Sequence, residues 1–295
     1  MTTSSLDDFF LQCRTRCESQ LNQILPAHTS DPLQQAMRYA TLNGGKRMRP
    51  ILGYATAELL GYDFDHVDYI GIAIELVHAY SLVHDDLPAM DDDSLRRGKP
   101  TCHIQYGEAQ AILAGDALQA LAFELTVTPN THTDATKQLK IAQELCRASG
   151  LAGMVAGQSQ DLLSENKAIS LKELENIHRK KTGALLEASV RLPAIACDAD
   201  QKTLQQLTDF ASNLGLCFQV RDDILDIVGE TSVLGKTQGA DISAKKATYP
   251  SLLGLQAAQE FADELHQKAI KALDGLDHKT CRLREIADFI ILRQH

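Results

Sequence analysis

Apolar residues recur along this chain three and four positions apart, the spacing of one helix face, and alternating strand patterns are nearly absent. Leu6 to Leu25 carries Leu6, Phe9, Phe10, Leu21 and Ile24 as a stripe and predicts a first helix. Asp31-Pro32 opens a second, with Asp as cap and Pro in the first turn. Gly44-Gly45 ends it, and helix resumes from Pro50 through Leu60. His66 to His84 is different. Ile70, Ile72, Ile74, Leu76, Val77, Leu82 and Val83 leave it almost no polar side, which predicts a buried central helix. Helices are predicted again over Glu108 to Val127, Thr133 to Ser149 and Leu151 to Leu163. Ser170-Leu171-Lys172-Glu173 has the form of a capping box and opens a helix running through Arg191. Asp200 to Ile227 predicts one long helix. The stretch from Gly229 to Ala247 is rich in Gly and polar residues and predicts a mobile flap. Thr248-Tyr249-Pro250 starts a further helix, and Arg282 to Arg293 closes the chain. With no linker of low complexity, the expectation is one all-α domain over residues 1–295.

Composition narrows the function. Apolar residues make up 44% of the 295 positions, enough for a substantial core. The 7 Cys are odd in number and form no CxxC pair, which argues against a disulfide framework and points to a reducing, cytoplasmic setting. The first residues lack a basic region followed by an apolar stretch, so no signal peptide is expected. No apolar run reaches the roughly 20 residues that span a bilayer. A net charge of -10 makes nucleic acid or an anionic membrane surface a poor partner. Basic residues nevertheless gather at Lys46, Arg47 and Arg49; at Arg96, Arg97 and Lys99; at Arg179, Lys180 and Lys181; and at Lys245 and Lys246.

Two acidic stretches carry the chemistry. Leu82 to Gly98 reads LVHDDLPAMDDDSLRRG and sets Asp85, Asp86, Asp91, Asp92 and Asp93 at the end of the apolar helix. Phe218 to Glu230 reads FQVRDDILDIVGE and repeats the device with Asp222, Asp223 and Asp226. Asp222 and Asp226 share a helix face, among Leu216, Phe218, Val220, Ile224, Leu225 and Ile227 as expected core. Carboxylates crowded beside a core repel one another unless a cation joins them, and their oxygens suit hard cations such as Mg²⁺. Asp85 and Asp91 are six apart and do not share a helix face. A bend at Pro88 is expected to bring Asp91 back to the same cation.

These residues resemble a known family. DDLPAMD from Asp85, followed by Arg96-Arg97, is similar to the first aspartate-rich motif of the trans-prenyltransferases, and DDILD from Asp222 to the second. GGKRMRP from Gly44, GQSQD from Gly157, KTG from Lys181, Gln219, GKTQGAD from Gly235 and Lys246 match the same family in the same order. The closest resemblance is to its bacterial farnesyl diphosphate synthases. It implies a helical bundle around a deep central cavity, and the condensation of isopentenyl diphosphate with dimethylallyl and geranyl diphosphate to farnesyl diphosphate. It implies Mg²⁺, three ions in the family, with Mn²⁺ as a substitute, held by Asp85, Asp86, Asp91, Asp222, Asp223 and Asp226. Arg96, Lys181, Lys236 and Lys246 are then expected on the allylic diphosphate. Lys46, Arg49, His78 and Arg97 are expected on the second, metal-free diphosphate. The Lys181 carbonyl, the Thr182 hydroxyl and the Gln219 amide oxygen are expected to stabilise the allylic cation. Gln158 and Asp161 are expected near the diphosphate through water. Released diphosphate is the expected proton acceptor. Tyr80 and Ser81, one turn before the aspartates, are expected to stop the product at about fifteen carbons. A homodimer is the family's usual state.

Other readings remain at this point: a geranylgeranyl diphosphate synthase, a class I terpene cyclase, or a non-catalytic prenyltransferase subunit. A cyclase has no use for GGKRMRP, and a non-catalytic subunit is expected to lack one acidic motif.

Overall fold

Helix α1 (Leu6–Ile24) begins where the Ser5 hydroxyl accepts from the Asp8 N–H and the Asp8 carboxylate accepts from the Ser5 N–H. Such reciprocal caps satisfy donors a helix start would otherwise leave bare. The computed structural model describes residues 5–228, 247–276 and 281–293. The chain divides into two compact units, residues 1–143 and 144–295. The described residues are overwhelmingly helical, and no helix among them is long and apolar enough to cross a membrane.

In the first unit α2 (Pro32–Leu42) is capped by Asp31, whose carboxylate accepts from the Leu33 N–H. Helix α3 (Met48–Leu60) starts two residues before the expected Pro50. Arg47, in the left-handed region at φ 51°, turns the chain into it. Pro50 then sits in the first turn, where a missing N–H costs nothing. A 3-10 turn at Phe64–His66 leads to α4 (Asp68–Asp85). As its apolar sequence requires, α4 is buried along nearly its whole length, with Ile70, Ile72, Ile74, Leu76 and Val77 all sealed. It packs chiefly on α6 (Glu108–Val127). Between them in the chain lie the short helix α5 (Cys102–Tyr106) and an antiparallel two-residue ladder, β1 (Leu95–Arg96) with β2 (Lys99–Pro100), which the sequence did not announce.

Helix α7 (Ala135–Ser149) begins in the first unit and ends in the second. The second unit continues with α8 (Met154–Ser164) and α9 (Leu171–His178), the latter opened by the expected Ser170–Glu173 capping box. The helix expected to run unbroken to Arg191 is instead interrupted by a π-helical turn at Arg179–Gly183, and resumes as α10 (Ala184–Ala196). Two glycines explain the turn's placement. A Cβ on Gly157 of α8 would lie 2.2 Å from the Lys181 nitrogen. A Cβ on Gly215 would lie 3.2 Å from the Gly183 Cα. The turn is therefore wedged between α8 and α11 (Gln201–Val228), which spans the expected long helix. Helices α12 (Tyr249–Leu253), α13 (Leu255–Ala272) and α14 (Cys281–Leu292) complete the unit. Leu216, Val220 and Ile224 pack with Tyr249, Ala258, Ala262 and Leu265. Phe218 and Ile227, expected in the core, are only half-buried. The predicted flap, apart from Ala247, lies outside the described residues.

Candidate active site

The first acidic motif is made by the way α4 stops. Asp86 N–H still bonds to the Leu82 carbonyl, but the helix ends at Asp85, before Pro88, instead of bending there as expected. The chain curls back, Met90 N–H reaches the Leu87 carbonyl, and Asp91 N–H reaches the Asp85 carbonyl at 2.8 Å. Asp91 is thus returned beside Asp85 by backbone hydrogen bonds. Asp92, at φ 52°, completes the turn with a bond to the Leu87 carbonyl.

Asp86 is buried, and burial pushes its carboxyl above the ordinary range. Arg96 opposes this as a fork, with Nε 2.8 and 2.9 Å from the two carboxylate oxygens and Nη2 2.5 Å from Oδ1. The short hairpin delivers that guanidinium. Its turn residues Arg97 and Gly98 both have positive φ, the conformation that suits the twist of a two-residue loop. The same turn sends Arg97 the other way. Its Nη1 donates to the Gly44 carbonyl, and its guanidinium fills the space a Gly45 side chain would need, 2.7 Å from an added Cβ. The two adjacent arginines therefore part company, Arg96 to Asp86 and Arg97 to the Gly44 carbonyl.

Arg49 and Arg97 both lie close enough to His78 to act on its charge. His78 is held neutral, well below its ordinary pKa, by burial and then by those two guanidinium groups. Lys46 is exposed on the loop before α3. Arg47, grouped with these cations by sequence, is instead buried on Glu75 at 2.7 Å and on the Thr41 carbonyl at 2.8 Å. Tyr80 is buried one turn before the aspartates, with Gln119 of α6 beside its hydroxyl and its ring edge-on to His84 at 5.5 Å. Ser81 donates to the His78 carbonyl. His84 Nε2 lies 3.0 Å from the Ile112 carbonyl of α6, over Gly115, where a Cβ would meet the ring at 2.1 Å.

In the second unit the π-helical turn presents Lys181 and Thr182. Lys181 Nζ lies 2.5 Å from Asp161. The Thr182 hydroxyl donates to Gln219 Oε1 at 2.9 Å, Gln219 Nε2 donates to Asp223 Oδ1 at 3.1 Å, and Tyr249 N–H donates to Asp223 Oδ2 at 3.0 Å. This chain of bonds fixes the Gln219 amide orientation. It also gives the buried Asp223 carboxylate, expected to be a metal ligand, the task of holding the start of α12. Asp222 and Asp226 remain more open. Asp222 Oδ1 accepts from Arg293 Nη2 at 2.7 Å, a contact between residues 71 apart that sequence reading missed. Gln158 is buried with neither amide atom hydrogen-bonded. Lys236 and Lys246 lie outside the described residues.

The donors in both units suit a hard divalent cation. Asp85 and Asp91 of the first unit and Asp222 and Asp226 of the second are only partly buried and offer carboxylate oxygens alone, without thiolate or imidazole. Among the described residues no group of three or more His, Cys, Asp or Glu side chains is by itself arranged around an ion.

The polyprenyl synthetase family model matches residues 30–281. The chain is 54% identical over 266 residues to a farnesyl diphosphate synthase of Haemophilus influenzae, covering 89% of each chain. It is 47% identical over 295 residues to a farnesyl diphosphate synthase of Escherichia coli, covering 96% of this chain and 99% of that one. Among solved structures, an FPP/GFPP synthase from Zymomonas mobilis superposes with a TM-score of 0.87 at 38% identity, covering 97% of this chain and 98% of that one. The fold, the motif order and the extent of this identity agree: the chain belongs to the polyprenyl synthetase family.

Proposed function

We propose that this protein is a trans-prenyltransferase that condenses isopentenyl diphosphate with dimethylallyl and then geranyl diphosphate, giving (E,E)-farnesyl diphosphate and free diphosphate. The observation that carries this reading is a separation of charge within the first unit. Arg49, His78 and Arg97 form one electropositive group around a neutral imidazole. Asp85, Asp86 and Asp91 form an acidic group at the end of the same helix. Two such groups suit two diphosphates bound differently, one directly by cations and one through metal. A cyclase binds one diphosphate and has no use for the first group.

Asp85 and Asp91 of the first unit, and Asp222 and Asp226 of the second, would hold Mg²⁺, with three ions and with Mn²⁺ able to replace them. When bound, the ions supply Lewis-acid stabilisation of the departing diphosphate. Arg96 and Lys181 add charge-assisted donors, for which they exchange part of their bonds to Asp86 and Asp161. Lys236 and Lys246 join them. Lys46, Arg49, His78 and Arg97 hold isopentenyl diphosphate. Gln219 Oε1 and the Thr182 hydroxyl face the developing allylic cation as oriented dipoles that do not capture it. Neither His78 nor His178 is protonated at neutral pH, and the released diphosphate takes the proton from the new carbon chain. Tyr80 floors the product pocket at about fifteen carbons. The protein works in the cytoplasm as a homodimer.

The test is incubation with Mg²⁺, isopentenyl diphosphate and geranyl diphosphate, followed by product identification. Linear farnesyl diphosphate is expected. A cyclic hydrocarbon, or no product, would remove the reading. Tyr80→Ala is expected to lengthen the product to about twenty carbons or more, and an unchanged fifteen-carbon product would take Tyr80 out of that role.

A further inference from the structure

The last described residue reaches back to the second acidic motif. Arg293 follows α14, and only 5% of its side chain is exposed. Nη2 donates to the Phe218 carbonyl at 2.8 Å and to Asp222 Oδ1 at 2.7 Å. The guanidinium carbon stands 3.9 Å from the centre of the Phe218 ring. The Arg293 carbonyl in turn accepts from Arg221 Nη2 at 2.9 Å. Residues 218, 221 and 222 of α11 thus grip it from little more than one helical turn. Burying a guanidinium costs several kcal/mol unless it is paired; here Nη2 is satisfied by the Phe218 carbonyl and Asp222, while Nε is buried without a partner.

The pair is lopsided. Asp222 keeps 43% of its side chain exposed, whereas Arg293 is almost wholly covered. The guanidinium therefore approaches the carboxylate from the protein side and leaves its outer side turned to solvent. From this geometry we infer that Arg293 is a positioning residue of the metal site. It fixes Asp222 through Oδ1 so that the outward side of the carboxylate is presented to Mg²⁺. The inference rests on the proposed reading of Asp222 as a metal ligand.

Two effects of a neighbouring guanidinium oppose each other. It withdraws charge from the carboxylate, which weakens cation binding. It also holds the side chain in one rotamer and keeps it from being splayed by the like charge of Asp226, one turn further along α11. The second effect dominates because Arg293 is anchored by the Phe218 carbonyl and ring independently of Asp222. It is a fixed wall, not a competitor free to come and go. Outer partners that orient a ligating group are worth about 10–100-fold in metal affinity.

The experiment compares wild-type protein, Arg293→Ala and Arg293→Lys. Mg²⁺ is titrated at fixed inorganic diphosphate while the melting temperature is followed, and in parallel under turnover. Arg293→Ala is expected to need about 10-fold more Mg²⁺ for the half-maximal thermal shift. Arg293→Lys, which keeps a cationic donor, is expected to need less than that. The loss of turnover should be greatest at low Mg²⁺ and shrink as Mg²⁺ rises. Adding Arg293→Ala to Asp222→Asn should produce no further shift in Mg²⁺ requirement. A lower melting temperature without metal and an unchanged Mg²⁺ midpoint would reduce Arg293 to an anchor of the chain end and overturn the inference. A tighter midpoint would overturn it too, by showing charge withdrawal in control. Failure of the wild-type protein to respond to Mg²⁺ at all would instead remove the metal reading beneath it, and that outcome is visible before any variant is made.

Discussion

The two acidic motifs use the same residue type on opposite structural terms. The first lies where a buried helix ends, and nearly everything that shapes it is local. The backbone returns Asp91 to Asp85, and the fork on Asp86 comes from Arg96, ten residues on. The second lies within the 28-residue helix α11, and its partners arrive from far away: Arg293 on Asp222, Tyr249 N–H on Asp223. Where the first motif can change shape only by remaking its own turn, the second is tied to whatever happens in α12 and α14. The first is a turn that holds its own aspartates together; the second is a brace between α11 and its distant neighbours.

The sharpest way to break this comparison is to remove one carboxylate from each. With Asp85 holding Mg²⁺ as proposed, Asp85→Asn should reduce turnover by about a thousandfold, the several kcal/mol expected when a metal ligand is lost, with little change in melting temperature. Asp223→Ala should do the reverse. Two polar groups bonded to its buried carboxylate, the Tyr249 N–H and the Gln219 amide, lose their acceptor. Each such group costs about 1–3 kcal/mol, so urea or thermal unfolding should show a destabilisation of about 2–6 kcal/mol. An Asp223→Ala protein as stable as wild type but demanding far more Mg²⁺ would give Asp223 the ligand role proposed for Asp85 and dissolve the contrast.

Local chemistry is also what the sequence displays. Caps such as Asp31 and Ser170 sit within three residues of what they cap, so those helix starts were legible, as was the burial of α4 from its apolar run. The acidic residues and the kind of cation they suit could be read from the clustering of charge beside core. What could not be read depended on distant neighbours. The π-helical turn at Arg179–Gly183 has an ordinary helical sequence; the wedge of Gly157 and Gly215 puts it there. Arg47 resembles its neighbours Lys46 and Arg49 but finds Glu75 inside the first unit. Arg293 carries no periodic or motif signal that points to Asp222.

A smaller change probes how the end of α4 is held. His84 rests over Gly115, and a methyl group there would lie 2.1 Å from its Nε2. Gly115→Ala must therefore push the ring off the Ile112 carbonyl, and overpacking of this kind costs about 1–3 kcal/mol. Because His84 adjoins Asp85, turnover should fall along with stability. Adding His84→Ala should recover part of the stability, since it removes the clash. Strictly additive losses in the double variant would mean that the ring and the glycine act independently, and that the first motif is set by its turn alone.

A pH-dependent effect, felt only below neutrality, concerns the second unit's dependence on α12. His178 is buried against the Tyr249 ring, 5.4 Å between centroids, next to the Asp223 anchor. Burial lowers its pKa to about 4, with Asp161 opposing and Lys181 reinforcing the shift. A histidine free in an unfolded chain titrates near 6.5. Above that pH neither state is protonated and the packing contributes its full stability. Between about 6.5 and 4 the unfolded chain takes up a proton that the folded protein refuses, so stability falls as pH falls; below about 4 the loss is complete. The whole effect is on the order of 3 kcal/mol. His178→Phe keeps a ring against Tyr249 and removes the proton. Its melting temperature should change less steeply than that of the wild type between pH 6.5 and 4, and the two curves should run parallel above pH 7. If the slopes match throughout, the imidazole titrates as it would in water, and the contact between α9 and α12 does not exclude solvent as this packing requires.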